Sequence, residues 1–424
     1  MRELDDPIAL AFAGAPQSAL RARAILILIV LFMVINFADK AVMGLSAVFM
    51  SAELHISNAQ FGAIGSAFFL LFSLSSAVVG ILSNRLPSKA VIAVMAFIWA
   101  AAQLPMIAQV SLDTLIVSRI VLGAGEGPAF PVALHAIYKW YPDGHRALPT
   151  SLISIGSSLG IAVLSPLLTW IIVKYSWHVA FGLLGVIGFV WLALWLVVAR
   201  EGPGDAVPQA PTPGTHRVPY GTILSSRTFI GVTLAGFAGY WAVAVGIIWV
   251  PSFFIKAIGY SAITTGWVVA IPPLLQIALA PLVGFFSQHL EQRGVSRRLS
   301  RGALTAGPVV VAGGAMMLLS GSSGLIAPVP LAAIALGFCG LTYAIGPTLI
   351  GEIVPAQQRG AILGISGGLY TTTGLIAPWL IGHVVDQAPS AAAGFRNGFF
   401  YSGILIASCA AVALVLINPK HDLG

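Results

Sequence analysis

Twelve mostly apolar stretches, each about 20 residues or longer, divide this chain, with short polar turns between them. Their limits fall near 22–47, 61–83, 90–109, 112–138, 147–173 and 178–199, then 228–255, 264–289, 302–321, 328–352, 359–385 and 395–417. Each can cross about 30 Å of hydrocarbon as a helix. None alternates with the period of two that marks the strands of a membrane barrel. The pattern predicts an all-α membrane protein with twelve transmembrane helices.

The longest polar interruption is "REGPGDAVPQAPTPGTHRVPYGTILSSR", Arg200 to Arg227. Its Pro, Gly and Thr cannot build a packed core, so it reads as a linker. The expected organisation is an N-terminal segment (1–21), a six-helix bundle (22–199), the linker (200–227), a second six-helix bundle (228–417) and a tail (418–424). Equal halves on a flexible loop suit a carrier whose bundles rock about a midplane site. The alternative is a fusion of two unrelated membrane domains.

Composition agrees with the pattern. The chain is 58% hydrophobic and 8% charged, against about 25% charged residues in soluble domains. The first apolar run continues past Asp39 without a small-residue cleavage site, so it reads as a span rather than a signal peptide. Of the 21 lysines and arginines, sixteen fall on the side of the two termini and only Lys174, Lys256 and Arg396 on the other. That bias predicts cytoplasmic termini. It also spreads the net charge of +7 over loops that face anionic lipid, with no call for nucleic acid. Cys339 and Cys409 lie inside spans, so no disulfide framework is expected. The chain contains no GxxxxGK[ST] loop for ATP, no zinc-type Cys/His cluster and no haem motif. No cofactor is expected beyond a coupling ion, and the chain is expected to act as a monomer.

Two cations, Lys40 and Arg119, remain inside spans with two carboxylates, Asp39 and Glu126. A charge at the bilayer centre costs at least about 2.5–3.5 kcal/mol, so such residues usually pair or line an aqueous path. Asp39 and Lys40 are adjacent in "INFADKAVMG", so on a helix they point about 100° apart. Arg119 and Glu126 are separated by about two turns and share a face. Gly123, Gly125 and Gly127 lie on that stretch, where they admit a neighbouring helix, while Pro128 and Pro131 favour a bend. One reading makes this a coupling site, with Asp39 and Glu126 taking protons and Arg119 the central positive charge. The plainer one is an Arg119–Glu126 pair that only locks the fold. For Lys40 the expectation is that it faces the cavity and attracts a substrate anion while Asp39 faces Arg119; the alternative is snorkelling to the outer surface. Met33, Phe68, Phe69 and Phe72 recur at helical spacing and read as packing. His135, His178 and His383 sit near span ends and read as hydrogen-bonded. Glu352 reads as a boundary residue within reach of Arg359.

The stretch "RIVLGAGEGPAFP" resembles the fourth-helix motif Arg-xxx-Gly-xx-Glu-x-Pro of the major facilitator superfamily, and "NFADKAVMG" resembles the Asn-Tyr-x-Asp-Arg first-helix motif of its anion:cation symporter branch. "GYWAVAVGIIWVPSFFIKAIGYSAITTG" and "GGLYTTTGLIAPWLIGHVVD" are similar to the seventh and eleventh helices of that branch. The likeness covers about residues 25–415. It implies the major facilitator fold and alternating access in a bacterial inner membrane. It further implies proton-coupled symport of an organic carboxylate, with Tyr240, Trp249, Tyr370 and Thr371 on the wall contributed by the second half.

The departures carry information too. In "GILSNRLPSK" the superfamily's gate motif Gly-xxx-Asp-Arg has Asn84 for its acid, leaving Arg85 and Lys89 as the gating cations. Gln288 and His289 stand where the second half would have its charged pair. Lys40 replaces the usual arginine, giving a point charge in place of a planar fork. The fifth helix offers Ser154, Ser157 and Ser158 where sugar-acid carriers often present a glutamine, and Thr371 falls where relatives often have asparagine. Fewer amides imply a substrate with fewer hydroxyls, Ser157 among its contacts. The expected partners are a small organic anion, protons and membrane lipids. An anion exchanger or facilitator without proton coupling is the alternative within the same fold, and a drug exporter the alternative outside its substrate class.

Overall fold

The computed structural model describes residues 16–82, 86–108, 110–142, 145–202, 218–355 and 358–419, with side chains of 16–18 and 80–82 excepted. Among the described residues, twelve helices are long and apolar enough to cross a membrane. They are α1 (Ala19–Leu54), α2 (Asn58–Val79), α3 (Ser88–Ile107), α4 (Leu112–Tyr138), α5 (Ala147–Lys174) and α6 (Trp177–Val198), then α7 (Arg227–Ile258), α8 (Ala262–Gln292), α9 (Arg298–Gly321), α10 (Pro328–Ile353), α11 (Arg359–Gln387) and α12 (Ala391–Leu416). Most limits agree with the apolar runs to within a few residues. The largest departure is α1, which runs to Leu54 because its polar end is held: Glu53 accepts hydrogen bonds from Trp177 at 2.7 Å and from the His178 ring at 2.8 Å. Between the halves, residues 203–217 lie outside the described residues, and a short helix, Tyr220–Leu224, forms within the expected linker.

The helices form two six-helix bundles. In the first, α1 packs on α5, α2 on α4 and α3 on α6; in the second, α9 and α7 pack on α12. Tryptophans tie the first bundle together, with the Trp191 indole donating to the Leu28 carbonyl at 2.9 Å and Trp195 to that of Lys89 at 3.0 Å.

Three helix pairs join the halves: α1 with α7, α5 with α8, and α2 with α11, which it follows along both of that helix's segments. The contacts gather at the end away from the termini. A Cβ placed on Gly44 would lie 1.8 Å from the Ile247 carbonyl oxygen, and one on Gly62 2.3 Å from that of Pro378, so backbone meets backbone there. At the rim, the Asp386 carboxylate accepts from the backbone N–H groups of Asn58 and Ala59 at 3.1 and 2.7 Å, capping the first turn of α2 from the opposite half. Lys256 donates to Asn58 beside it at 3.4 Å. The deepest described hydrogen bond across the halves joins Thr371 to Ser73 at 2.9 Å. This end is closed.

That closure depends on the absence of a side chain. Gly44→Val is therefore expected to hold the halves apart at this end. Spin labels at Gln60 and Gln387 would report a longer distance distribution in the variant; an unchanged distribution would show that the glycine contact does not control closure.

Candidate functional site

The four charges expected inside the membrane come together on α1 and α4, where all are buried: Asp39 and Glu126 are 0% and 1% exposed, Arg119 and Lys40 2% and 7%. The geometry of α4 explains why. Its first segment ends at Glu126, the chain turns at Gly127 and Pro128, and a second segment runs from Ala129 to Tyr138. The break thus follows Glu126 directly. Pro131 falls in the first turn of the second segment, where its missing N–H breaks no helical bond. Gly123 and Gly127 lie against α2, where added Cβ atoms would come within 1.9 and 2.1 Å of the Phe68 and Phe72 carbonyl oxygens. This approach brings the rings of α2 up to the charged cluster.

The pairing differs from the expected one. Lys40, not Arg119, holds Glu126, with Nζ donating to Oε2 at 2.6 Å. Lys40 also donates to Oδ1 of Asn36, one turn earlier on α1, at 2.5 Å. Its ammonium stands 4.7, 5.4 and 5.7 Å from the ring centres of Phe37, Phe72 and Phe68, a cation–π surround. Lys40 does line the cavity, yet its charge is already taken. It does not snorkel. Phe68 and Phe72, read from sequence as packing, form part of the lysine's cage.

Arg119 is held by uncharged groups. Its Nη2 donates to Oε1 of Gln103 at 3.0 Å, and its guanidinium carbon lies 5.1 Å from the centre of the Phe181 ring. Neither carboxylate closes an ion pair with it among the described residues. Asp39 is the complement: both carboxylate oxygens are buried without a hydrogen-bond partner. Ser118 fixes α4 against α3 by donating to the Ala102 carbonyl at 2.6 Å, which sets Arg119 beside Gln103.

A cavity of about 20 Å³ lies among these groups, lined by Asp39, Lys40 and Arg119 together with Met43, Gly65, Phe68, Phe69, Ile247 and Ile248. That is room for about one water molecule. Beyond it a chain of rings crosses the midline: Phe69 to Tyr240 at 5.8 Å, Tyr240 to Tyr370 at 5.8 Å, Tyr370 to Tyr343 at 5.3 Å. Tyr343, absent from the sequence-based set, donates its hydroxyl to the Gly236 carbonyl at 2.9 Å.

Other expected site residues have different positions. Trp249 is fully buried, with its indole donating to the Pro378 carbonyl at 2.8 Å and its ring 5.5 Å from Phe61 of the other half. It belongs to the closed end rather than the cavity wall, because the backbone contacts there leave no opening beside it. Thr371 bridges to Ser73 across the midline. Ser157 and Ser154 donate to carbonyls of their own helix, Ile153 and Thr150, the usual outlet for a hydroxyl in an apolar helix. Asn84 and Arg85 lie outside the described residues. Lys89 donates to the Leu196 carbonyl at 2.8 Å and its backbone N–H to Glu201, so in this state it fastens α3 to the end of α6 and does not reach the second half. Glu352 pairs with Arg301 and with Arg297, not with Arg359, which donates to the Val354 carbonyl. His289 stacks on Phe285 and His383 on Trp379.

Gln103 and Asn36 are the polar partners that sequence reading missed. Asn36 was legible as the residue four before Lys40 on a helix. Gln103 was legible only as a lone amide in the apolar run "AFIWAAAQLPMI".

Comparison with known proteins places this geometry. Residues 28–338 match the Major Facilitator Superfamily. The chain is 27% identical to the hexuronate transporter of Bacillus subtilis (strain 168), over 91% of its own length and 92% of that protein's. It is 26% identical to the D-galactonate transporter of Escherichia coli O6:H1 (strain CFT073), over 94% and 96%. In fold it is similar to a solved bacterial homologue of the human lysosomal transporter Spinster in an inward-facing, unoccupied conformation, with a TM-score of 0.79, 16% identity and coverage of 96% and 99%. The chain belongs to the Major Facilitator Superfamily and is a transporter rather than an enzyme.

Proposed function

We propose that this transporter moves a small organic carboxylate together with protons, by alternating access. The observation that carries the reading is that Lys40, paired with Glu126, lines one cavity with an unpaired, buried Asp39. A proton arriving at Glu126 releases the Lys40 ammonium, which then needs another anion; a substrate carboxylate supplies it. One proton and one monoanion leave the net charge of the site unchanged, so the loaded carrier changes state without burying an extra charge. On release the order reverses, and Glu126 returns to Lys40. Arg119 stays fixed on Gln103 and Phe181, keeping the potential in the cavity positive. The lysine and arginine bias supports cytoplasmic termini in a bacterial inner membrane. In that orientation the closed end faces outward.

The names of the relatives make hexuronate and galactonate the first substrates to try. Purified protein is expected to melt several degrees higher with at least one organic carboxylate, since saturation at 100 times Kd stabilises by about 2.7 kcal/mol. The same compound should acidify the lumen of proteoliposomes as it enters. Uptake without proton movement would make the protein an exchanger or facilitator. Stabilisation by organic cations alone would favour an exporter.

A further inference from the structure

We infer that Gln103 is a positioning residue for Arg119 that keeps the guanidinium from closing on Asp39 and so sets the pH range over which transport is coupled. The inference rests on the proton-coupled reading above. It starts from donor and acceptor chemistry. A guanidinium has only N–H donors, so the amide oxygen of Gln103 must be the atom that faces Arg119, as it does at 3.0 Å. The Gln103 NH₂ therefore points away. It is buried and has no partner. The group it stands beside is the Asp39 carboxylate, whose two oxygens are also buried and unpartnered. An uncharged dipole thus lies between a buried cation and a buried carboxylate, with its acceptor toward the first and its donor toward the second.

The local fold holds it there. Gln103 is 0% exposed and closes the α-helical part of α3, just before the 3₁₀ turn Leu104–Ile107, whose second residue is Pro105. The neighbouring Ala102 carbonyl takes the Ser118 hydroxyl, which fixes α4 at this level. The charged groups acting on Asp39 are Glu126 and Arg119 from α4 and Lys40 from its own helix; α2, α5, α6 and α7 bring none to it among the described residues. Of these, Lys40 and Glu126 are already paired. Arg119 is the remaining cation able to turn onto Asp39, and Gln103 is the group occupying it.

A direct guanidinium–carboxylate pair favours the ionised acid, while a second carboxylate nearby disfavours it. Two substitutions should therefore act in opposite directions. Gln103→Met keeps the volume but removes the acceptor, leaving Arg119 to pair with Asp39. The pH of half-maximal proton-driven uptake should fall by about one unit or more. Gln103→Glu gives Arg119 a carboxylate of its own beside Asp39, and the midpoint should rise. Both are measured as initial uptake against pH in proteoliposomes, with counterflow exchange as the control for folded carrier. A residue that only fills space would change the amount of active protein and leave the midpoint in place. Unmoved midpoints, or shifts of the same sign in both variants, would overturn the assignment. If Gln103→Met does not fold, Gln103→Asn, whose shorter amide loosens the same contact, should show the acid shift in reduced form; no shift there would overturn it equally. Absence of any pH dependence in the wild type would instead remove the proton-coupled reading itself.

Discussion

Glu126→Gln is expected to abolish proton-driven accumulation while leaving exchange of substrate for substrate measurable. The variant keeps the shape of the side chain and can still accept from Lys40, but it carries no charge and takes no proton. Lys40, now without its 2.6 Å counter-ion, should hold the substrate anion more tightly in the state seen here. The accumulation ratio under an imposed pH gradient should fall to parity, and counterflow should persist. Asp39→Asn should likewise lose accumulation. Its side chain is not committed to Lys40, so it should affect substrate affinity less than Glu126→Gln does. If both variants still concentrate substrate, these carboxylates do not carry the coupling protons.

The second large effect is expected at Lys40. Lys40→Ala removes the ion that neutralises Glu126 and the group proposed to receive the substrate. Breaking a buried pair by deleting one partner costs about 3–5 kcal/mol, because the other charge is left uncompensated. The single variant should therefore be unstable as well as unable to bind. Lys40→Ala combined with Glu126→Gln removes the stranded charge, and much of the stability should return without any return of binding. Measuring melting temperature and substrate-induced stabilisation across the four proteins separates the two roles. Binding in the double variant at the wild-type affinity would show that the anion is anchored elsewhere, with Arg119 the next residue to test.

The parts of this molecule that were legible in its sequence are those set by solvent and chain length. The limits of α4, 112–138, follow from hydropathy and agree with the structure, because leaving the bilayer ends a span sharply. That Asp39, Lys40, Arg119 and Glu126 would meet was also legible, since four charges on two apolar helices have few other places to go. Which cation takes which carboxylate was not. Arg119 and Glu126 share a face of one helix, yet Glu126 is claimed by Lys40 from α1, an outcome set by side-chain reach between helices. Trp249 shows the same limit: its place near the end of α7 was clear, but not that the indole would be used up by the Pro378 carbonyl. Gln103 gave the faintest signal. A single amide in an apolar helix is an ordinary sight until the arginine facing it is known.

The seal at the closed end has an evolutionary consequence. Where Gly44 meets Ile247 and Gly62 meets Pro378, what the contact requires is smallness, since a carbonyl oxygen occupies the space of the missing methyl group. Selection at those positions acts on volume and is blind to cargo. Lineages that came to carry different substrates should have drifted freely around the rings of Phe69, Tyr240 and Tyr370 while keeping the smallest residues at positions 44 and 62. The seal would then be the most constrained part of the carrier, and its choice of freight the least.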